Sequence, residues 1–336
     1  MGSDYRINCC PDGLVTDRRR RTKVLDCTIR DGGICNAWQF DHDLVTMVFD
    51  ALVEANIDYM EVGYRTTPGV FAGAGPWRFC TEEDLRRAVK PGRIKLTTMV
   101  DIGRVTAADI PAKRDTVVDV VRVACYAHQL DEAFRIVDHC LEAGYETFIN
   151  LMAVSAVEIK ELDQALMRVA HSGAHVLALV DSYGALFPYH VRYMLRKYMN
   201  YLGEGKKIGA HFHNNQQQAF ANSIAAIDEG ADIVDATIHG IGRGAGNCPL
   251  ELLLFYLDNP SYDVKPVLDL VDEFATLRDS LRWGYHLPYA ITGYYNEHPR
   301  EGIELMGRPD RYKCRTFYQA RTGKFAERKD LPPPRK

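Results

Sequence analysis

Two histidines spaced two apart, His211 and His213, sit at the end of a short apolar run. In an extended strand such residues point to the same side, so both imidazoles can turn toward one ion. Asp31 follows another apolar run and adds a carboxylate. Two nitrogens and one carboxylate leave coordination positions open and suit Mn²⁺, Mg²⁺, Fe²⁺ or Zn²⁺, with the carboxylate favouring the harder ions. The competing reading is a hydrogen-bonded histidine pair at a strand end, and His-x-His alone does not decide between them. The glycine-rich segment Gly240–Asn247 also allows two readings. It is either a backbone cradle for phosphate or a plain turn into a helix starting near Pro249, capped by Asn247.

Positioning these groups requires a repeating scaffold, and the chain supplies one. Apolar, β-branched runs recur at Val24–Ile29, Tyr59–Val62, Ile94–Val100, Val117–Ala124, Thr147–Met152, Val176–Val180, Lys207–Phe212 and Ile233–Ile238. Amphipathic stretches such as Leu44–Ala55, Asp131–Ala143, Val157–His171, Tyr189–Tyr201 and Gln216–Glu229 lie between them, several ending at a helix-stopping glycine. This alternation predicts a parallel sheet with helical crossovers. The eight units span residues 23–258, close to the ~250 residues of a (β/α)8 TIM barrel. An open doubly wound sheet fits less well, because Arg30-Asp31-Gly32-Gly33 lacks the Gly-x-Gly-x-x-Gly spacing. We expect a flexible tail over 1–21, including the solvated Arg18–Arg21 run, a catalytic barrel over 22–258 and a helical C-terminal extension over 259–336, frayed at Leu331–Lys336.

A TIM barrel places its active site at the C-terminal strand ends. The polar residues there are Arg30 and Asp31, Glu61, Tyr64 and Arg65, Asn150, Asp181 and Ser182, the His211–Asn214 run, and His239. Composition points to a cytoplasmic enzyme: 46% hydrophobic, 26% charged, net charge −4. Nothing in it calls for nucleic acid or a membrane, and no signal-peptide core stands at the N-terminus. Arg6 breaks a myristoylation pattern after Met1-Gly2. The nine cysteines form no Cys-x-x-Cys pair and read as reduced thiols, with Cys9 and Cys10 incidental.

Four blocks together resemble the DRE-TIM metallolyases, the superfamily of 4-hydroxy-2-oxovalerate aldolase, hydroxymethylglutaryl-CoA lyase, isopropylmalate synthase and homocitrate synthase. They are Leu25–Gly32, Tyr59–Gly63, His211–Asn215 with Ala221–Ser223, and Val234–Ile238 through Gly246–Glu251. The turn Asp181–Ala185 further resembles the 4-hydroxy-2-oxovalerate aldolase branch. The resemblance implies metal ligation by Asp31, His211 and His213, with Asn247 as a fourth ligand. It implies that Arg30 neutralises an enolate and that Ser182 holds the keto acid's carboxylate, with Tyr183 and Glu61 beside the substrate. The implied cofactor is a divalent metal, Mn²⁺ first, with Mg²⁺, Co²⁺ or Zn²⁺ as alternatives.

The implied function is a class II aldolase interconverting a 4-hydroxy-2-oxo acid with pyruvate, or a homologous 2-oxo acid, and an aldehyde. Metal and Arg30 would stabilise the enolate, leaving a base for the 4-hydroxyl to be found. Here the chain departs from the pattern, with Ile34 at the position of that branch's histidine. The candidate replacements are His298, Tyr295 and Tyr294, and more distantly His128 or Tyr126. Alternatives are a Claisen-type acyltransferase condensing an acyl-CoA with a 2-oxo acid, and a non-catalytic barrel subunit. Homo-oligomerisation is expected of the fold, and the branch implies an aldehyde dehydrogenase partner, docked through a region such as Val264–Leu281. Trp38, Tyr64, Trp77, Tyr183, Tyr294 and Tyr295 near the mouth suggest an aldehyde bulkier than acetaldehyde.

Overall fold

The computed structural model describes residues 16–326. Eight parallel strands close into a barrel in sequence order: β1 (Lys23–Asp26), β2 (Tyr59–Tyr64), β3 (Lys95–Asp101), β4 (Val120–Cys125), β5 (Glu146–Leu151), β6 (Val176–Asp181), β7 (Lys207–Phe212) and β8 (Ile233–Ala236). Pairing of β1 with β8, from Lys23 opposite Ile233 to Asp26 opposite Ala236, completes the circle. The TIM barrel expected from strand–helix alternation is the observed fold.

The period-two alternation of strand side chains sorts the interior into layers. At the bottom Leu25, Tyr59, Val120, Phe148, Val176 and Ile233 form an apolar plug. Two residues further along their strands, Glu61, Arg122 and Asp235 make a charged middle layer, each at most 2% exposed. Arg122 donates from Nη1 to Glu61 Oε2 (2.9 Å) and from Nη2 to Asp235 Oδ2 (2.6 Å). The residues facing outward from the strands enter the larger core under the helices, with Val62, Leu96, Val121, Ile149, Leu177 and Val234 among them.

Two strands, β1 and β8, end well before their sequence pattern does. β1 stops at Asp26 rather than Ile29, because the Asp26 carboxylate accepts the Thr28 N–H (3.0 Å) and hydroxyl (2.6 Å). Such local bonding competes with the ladder and turns the chain into the helical segment Thr28–Gly32. Arg30 and Asp31 are therefore presented by a helical turn, not by a strand. β8 stops at Ala236, and the Ile238 N–H then donates to Thr28 Oγ1 (2.8 Å), tying the two strand exits together.

The C-terminal extension is helical, as expected. Lys265–Leu281 packs on the barrel's outer face through Val267 and Phe274, which accounts for its amphipathicity without a partner. Leu287–Tyr294 reaches the mouth, where Asn215 and Gln216 donate to the carbonyls of Tyr289 and Ala290. At the other end, the tail expected over 1–21 is helical from Thr16 to Arg21, and Arg19 lies 4.1 Å over the Tyr256 ring. Cys9, Cys10 and Leu331–Lys336 fall outside the described residues. Among the described residues no helix is long and apolar enough to cross a membrane.

Replacing Arg122 by Met would remove the guanidinium shared by two buried carboxylates, leaving Asp235 with only His211 and Glu61 with only Arg30. The expected loss is about 3–5 kcal/mol of stability, read as a fall in the urea midpoint at unchanged slope.

Candidate metal centre

At the top of the barrel Asp31, His211 and His213 bring their ligand atoms within 4.8 Å of one another, all buried. The third side of the group is Asn247. Its Nδ2 donates to Asp31 Oδ2 (2.5 Å) and to the Ile241 carbonyl (2.9 Å), which leaves Oδ1 buried without a partner. Asn247 does not cap the following helix, which spans Leu250–Leu257 with Pro249 at its N-cap. A backbone bridge between His213 and Asn247 anchors the loop instead. Its glycines serve close approach: a Cβ on Gly242 would lie 2.2 Å from Asn247 Nδ2 and 2.8 Å from Asp31 Oδ2.

The electrostatics favour a cation. Burial works against the charge on Asp31, yet Arg30, His213 and His211 hold its carboxyl well below the usual range. Burial, reinforced by Arg243, holds His213 far below an ordinary imidazole, so it is a neutral ligand. His211 Nδ1 lies 3.0 Å from Asp235 Oδ2. Burial opposes the charge on Asp235, but Arg122 and His211 keep it ionised and able only to accept, which places the His211 proton on Nδ1. His211 Nε2 is buried without a hydrogen-bond partner, as is His213 Nδ1. A histidine oriented by a carboxylate behind it is the usual support for a metal ligand. An anionic oxygen beside two ring nitrogens of this kind fits a divalent ion.

Cys27, His211 and Asp235 form a second cluster of possible ligands directly beneath. Burial pushes the Cys27 thiol far up, and its Sγ faces the Ala236 carbonyl at 3.4 Å. With His211 Nδ1 already committed to Asp235, this cluster supports the upper one.

Arg30 runs between the two layers. Its Nε donates to Glu61 Oε2 (2.7 Å) and its Nη1 to Asp31 Oδ1 (2.5 Å). Burial alone would weaken the guanidinium, but Glu61 and Asp31 raise its pKa well above the ordinary value. Glu61 thus lies beneath Arg30 and outside the cavity, which is lined by Arg30, Asp31, His211, His213, Ser182 and Arg243, among others. The cavity measures about 80 Å³, room for about five waters at ~15 Å³ each. Ser182 is fixed by accepting the Ala153 N–H on Oγ (2.9 Å). Asp181 below it shapes the turn by accepting the N–H groups of Ala185 and Leu186. Burial pushes its carboxyl up to about 6.

The other expected site residues do not all converge. Ile34 lines the cavity with its apolar chain. His298 stands at the rim, 6.0 Å edge-on from the Tyr183 ring and with Nε2 3.3 Å from Arg243 Nη1. Burial, with Arg243 and Arg300, pulls it down to about 4, so it is neutral. Tyr295 stacks with Tyr294 (5.0 Å) and Tyr318 (5.8 Å) on the extension, away from the cavity lining. The aromatic residues likewise form no single wall. Trp77 is wholly buried, donating to the Phe40 carbonyl, and Tyr294 is 68% exposed, whereas Tyr64 does line the cavity. Arg122, Asp235 and Arg243 were not singled out from the sequence. A charged residue inside an apolar strand marks the first two, and a lone cation in a glycine loop marks Arg243.

Two changes test the centre by metal binding alone. Asp235→Asn should weaken Mn²⁺ affinity by about 10–100-fold, measured by calorimetry on folded protein. Gly242→Ala should do at least as much damage, since its Cβ meets the backbone-anchored Asn247 and Asp31. Unchanged affinity in both would show that these atoms do not hold the ion.

The chain's relatives agree with the fold. Residues 21–278 match the family model described as HMGL-like. An oxaloacetate decarboxylase of Mycobacterium tuberculosis is 30% identical over 78% of this chain and 77% of its own. A 4-hydroxy-2-oxovalerate aldolase of Geobacillus thermodenitrificans is 32% identical over 78% of this chain and 80% of its own. Among solved structures, the N-terminal domain of a candidate aldolase from Bacteroides vulgatus superposes with a TM-score of 0.76. It is 31% identical and covers 88% of this chain and 99% of its own. An eight-stranded barrel, a match over most of its length and these relatives place the chain in the HMGL-like family.

Proposed function

We propose that this carbon–carbon lyase is a divalent-metal-dependent aldolase that cleaves a 4-hydroxy-2-oxo acid to pyruvate, or a homologous 2-oxo acid, and an aldehyde. The observation that carries the reading is the convergence of Asp31, His211 and His213 beside the buried guanidinium of Arg30. Asp31 and the two imidazoles would hold the ion, with Asn247 Oδ1 available as a further ligand. When bound there, a divalent ion supplies Lewis-acid polarisation of the 2-oxo group.

The protein's own groups do the rest. Arg30 is fixed by Glu61 and Asp31, so its charge already stands where the enolate oxygen develops and needs no reorganisation. Ser182, immobilised by Ala153, is placed to hold the substrate carboxylate. Glu61 positions Arg30 and does not touch substrate. In the cleavage direction the C3–C4 bond breaks, its electron pair enters the enolate, and the 4-hydroxyl proton leaves to a base. Ile34 cannot accept it. Among the candidate bases, His298 is neutral and touches Arg243 of the cavity lining, and we assign it that proton. Tyr295, held against Tyr318, lies too far out.

Ile34 also favours a second reading. Loss of CO2 from a 3-carboxy-2-oxo acid uses the same enolate stabilisation and needs no hydroxyl base, and one relative is named for oxaloacetate decarboxylation.

Metal-stripped protein, with and without Mn²⁺, should be assayed for pyruvate release from 4-hydroxy-2-oxo acids and from oxaloacetate. The aldolase reading expects metal-dependent cleavage of the hydroxy acids, lost in His211→Ala and lowered about 10²–10³-fold in Arg30→Gln. His298→Gln should lower the rate by about 10²–10⁴-fold and spare any decarboxylation. Metal-dependent release from oxaloacetate alone would replace the aldolase with the decarboxylase.

A further inference from the structure

Arg243 stands on the glycine loop after β8, half-buried, and lines the same cavity as the metal-ligand atoms. Among the described residues it has no carboxylate within ion-pair distance, whereas the neighbouring cations Arg30, Arg78 and Arg122 each have one. Its Nη2 donates to the Ser182 carbonyl, and its Nε is buried without a partner. Its Nη1 faces His298 Nε2 (3.3 Å), a neutral group that supplies no counter-charge.

The ion pairs of the site leave this residue out. Arg30 and Arg122 are balanced by Glu61 and Asp235, and Arg78 by Asp101. Asp26 and Asp181 are satisfied by hydrogen bonds within their own loops. A divalent ion set against Asp31 leaves one positive charge, which the carboxylate of the 2-oxo acid neutralises. Arg243 then remains alone, in surroundings where an unpaired charge is costly. It lies between Ser182 and His298, on the rim side of the cavity. A 2-oxo acid whose first carboxylate were held at the ion and Ser182 would leave Arg243 for a group further along its carbon chain.

We propose that Arg243 is the specificity-determining residue for a second carboxylate, carried on the aldehyde half of the substrate. The substrate class is a 4-hydroxy-2-oxo dicarboxylic acid, and the inference rests on the aldolase reading. The reaction balances without further reagents. The C3–C4 bond breaks, C3 keeps the electron pair as pyruvate enolate and later takes a proton, and C4 becomes the carbonyl of an oxo acid. The substrate dianion divides into two monoanions, and the second carboxylate stays on Arg243 throughout.

The test is binding to the Mn²⁺-loaded enzyme by calorimetry, comparing 2-oxoglutarate with 2-oxopentanoate. These share a chain length and differ in carboxylate against methyl at the far end. Wild type should prefer 2-oxoglutarate by about tenfold or more, the scale of a charge-assisted hydrogen bond. Arg243→Gln should bring the ratio near one while 2-oxopentanoate binds as before. Arg243→Lys should keep part of the preference, as a point charge without the planar fork. An equal ratio in wild type and Arg243→Gln overturns the proposal. So does a parallel weakening of both ligands, which would mean that the guanidinium holds the 2-oxo acid's own carboxylate. A diacid preference with no carbon–carbon cleavage of any hydroxy diacid would sink the aldolase reading and leave Arg243 as an anion-binding residue.

Discussion

Glu61 Oε2 accepts from both Arg30 and Arg122, Arg122 also donates to Asp235, and Asp235 orients His211. This chain of shared bonds crosses the barrel interior from β2 through β4 to β8 and β7. Its two cations and two carboxylates cancel, which is the condition under which charges tolerate burial. Because every member has a second partner, none can move without stranding another. The upper groups inherit that rigidity: Arg30 is pinned beside Asp31, and His211 is locked in the tautomer that exposes Nε2. The proposed metal ligands and the proposed enolate-stabilising cation are thereby positioned by the same ion chain that fills the barrel.

The loops supply what strands cannot. Asp26 ends β1 by capturing Thr28, and Thr28 in turn receives the Ile238 N–H from the chain leaving β8. This closes the gap between the Asp31 turn and the glycine loop, so Asn247 can reach the Asp31 carboxylate. Gly242 makes that approach sterically possible. The site is therefore assembled from both sides of the seam where the barrel closes.

Above this rigid interior, the chain's own character lies at the mouth. Ile34 turns a wall that could hold a base into an apolar one, and Arg243 brings a cation with no partner carboxylate among the described residues. In the proposed chemistry, metal and Arg30 would serve any reaction that passes through a pyruvate enolate, and the rim would decide which bond is broken and what the departing fragment carries.

Much of this was legible in the residues themselves. Apolar runs alternating with amphipathic stretches specify a barrel, because only helical crossovers allow parallel strands to be neighbours. His-x-His on a strand, with Asp31 one barrel seam away, is readable because strand periodicity dictates which side chains share a face. Three things needed the tertiary structure. The role of Glu61 as a support for Arg30 depends on Arg122, which reads as a lone charge in a strand until the barrel places it between two carboxylates. Tyr295 and His298 are three residues apart, yet one packs on Tyr318 and the other reaches the rim, a choice made by how the extension docks. Arg243 looks like an ordinary loop cation in sequence. Its lack of a counter-charge is a property of the surroundings, and electrostatic surroundings are summed over residues that only folding brings together.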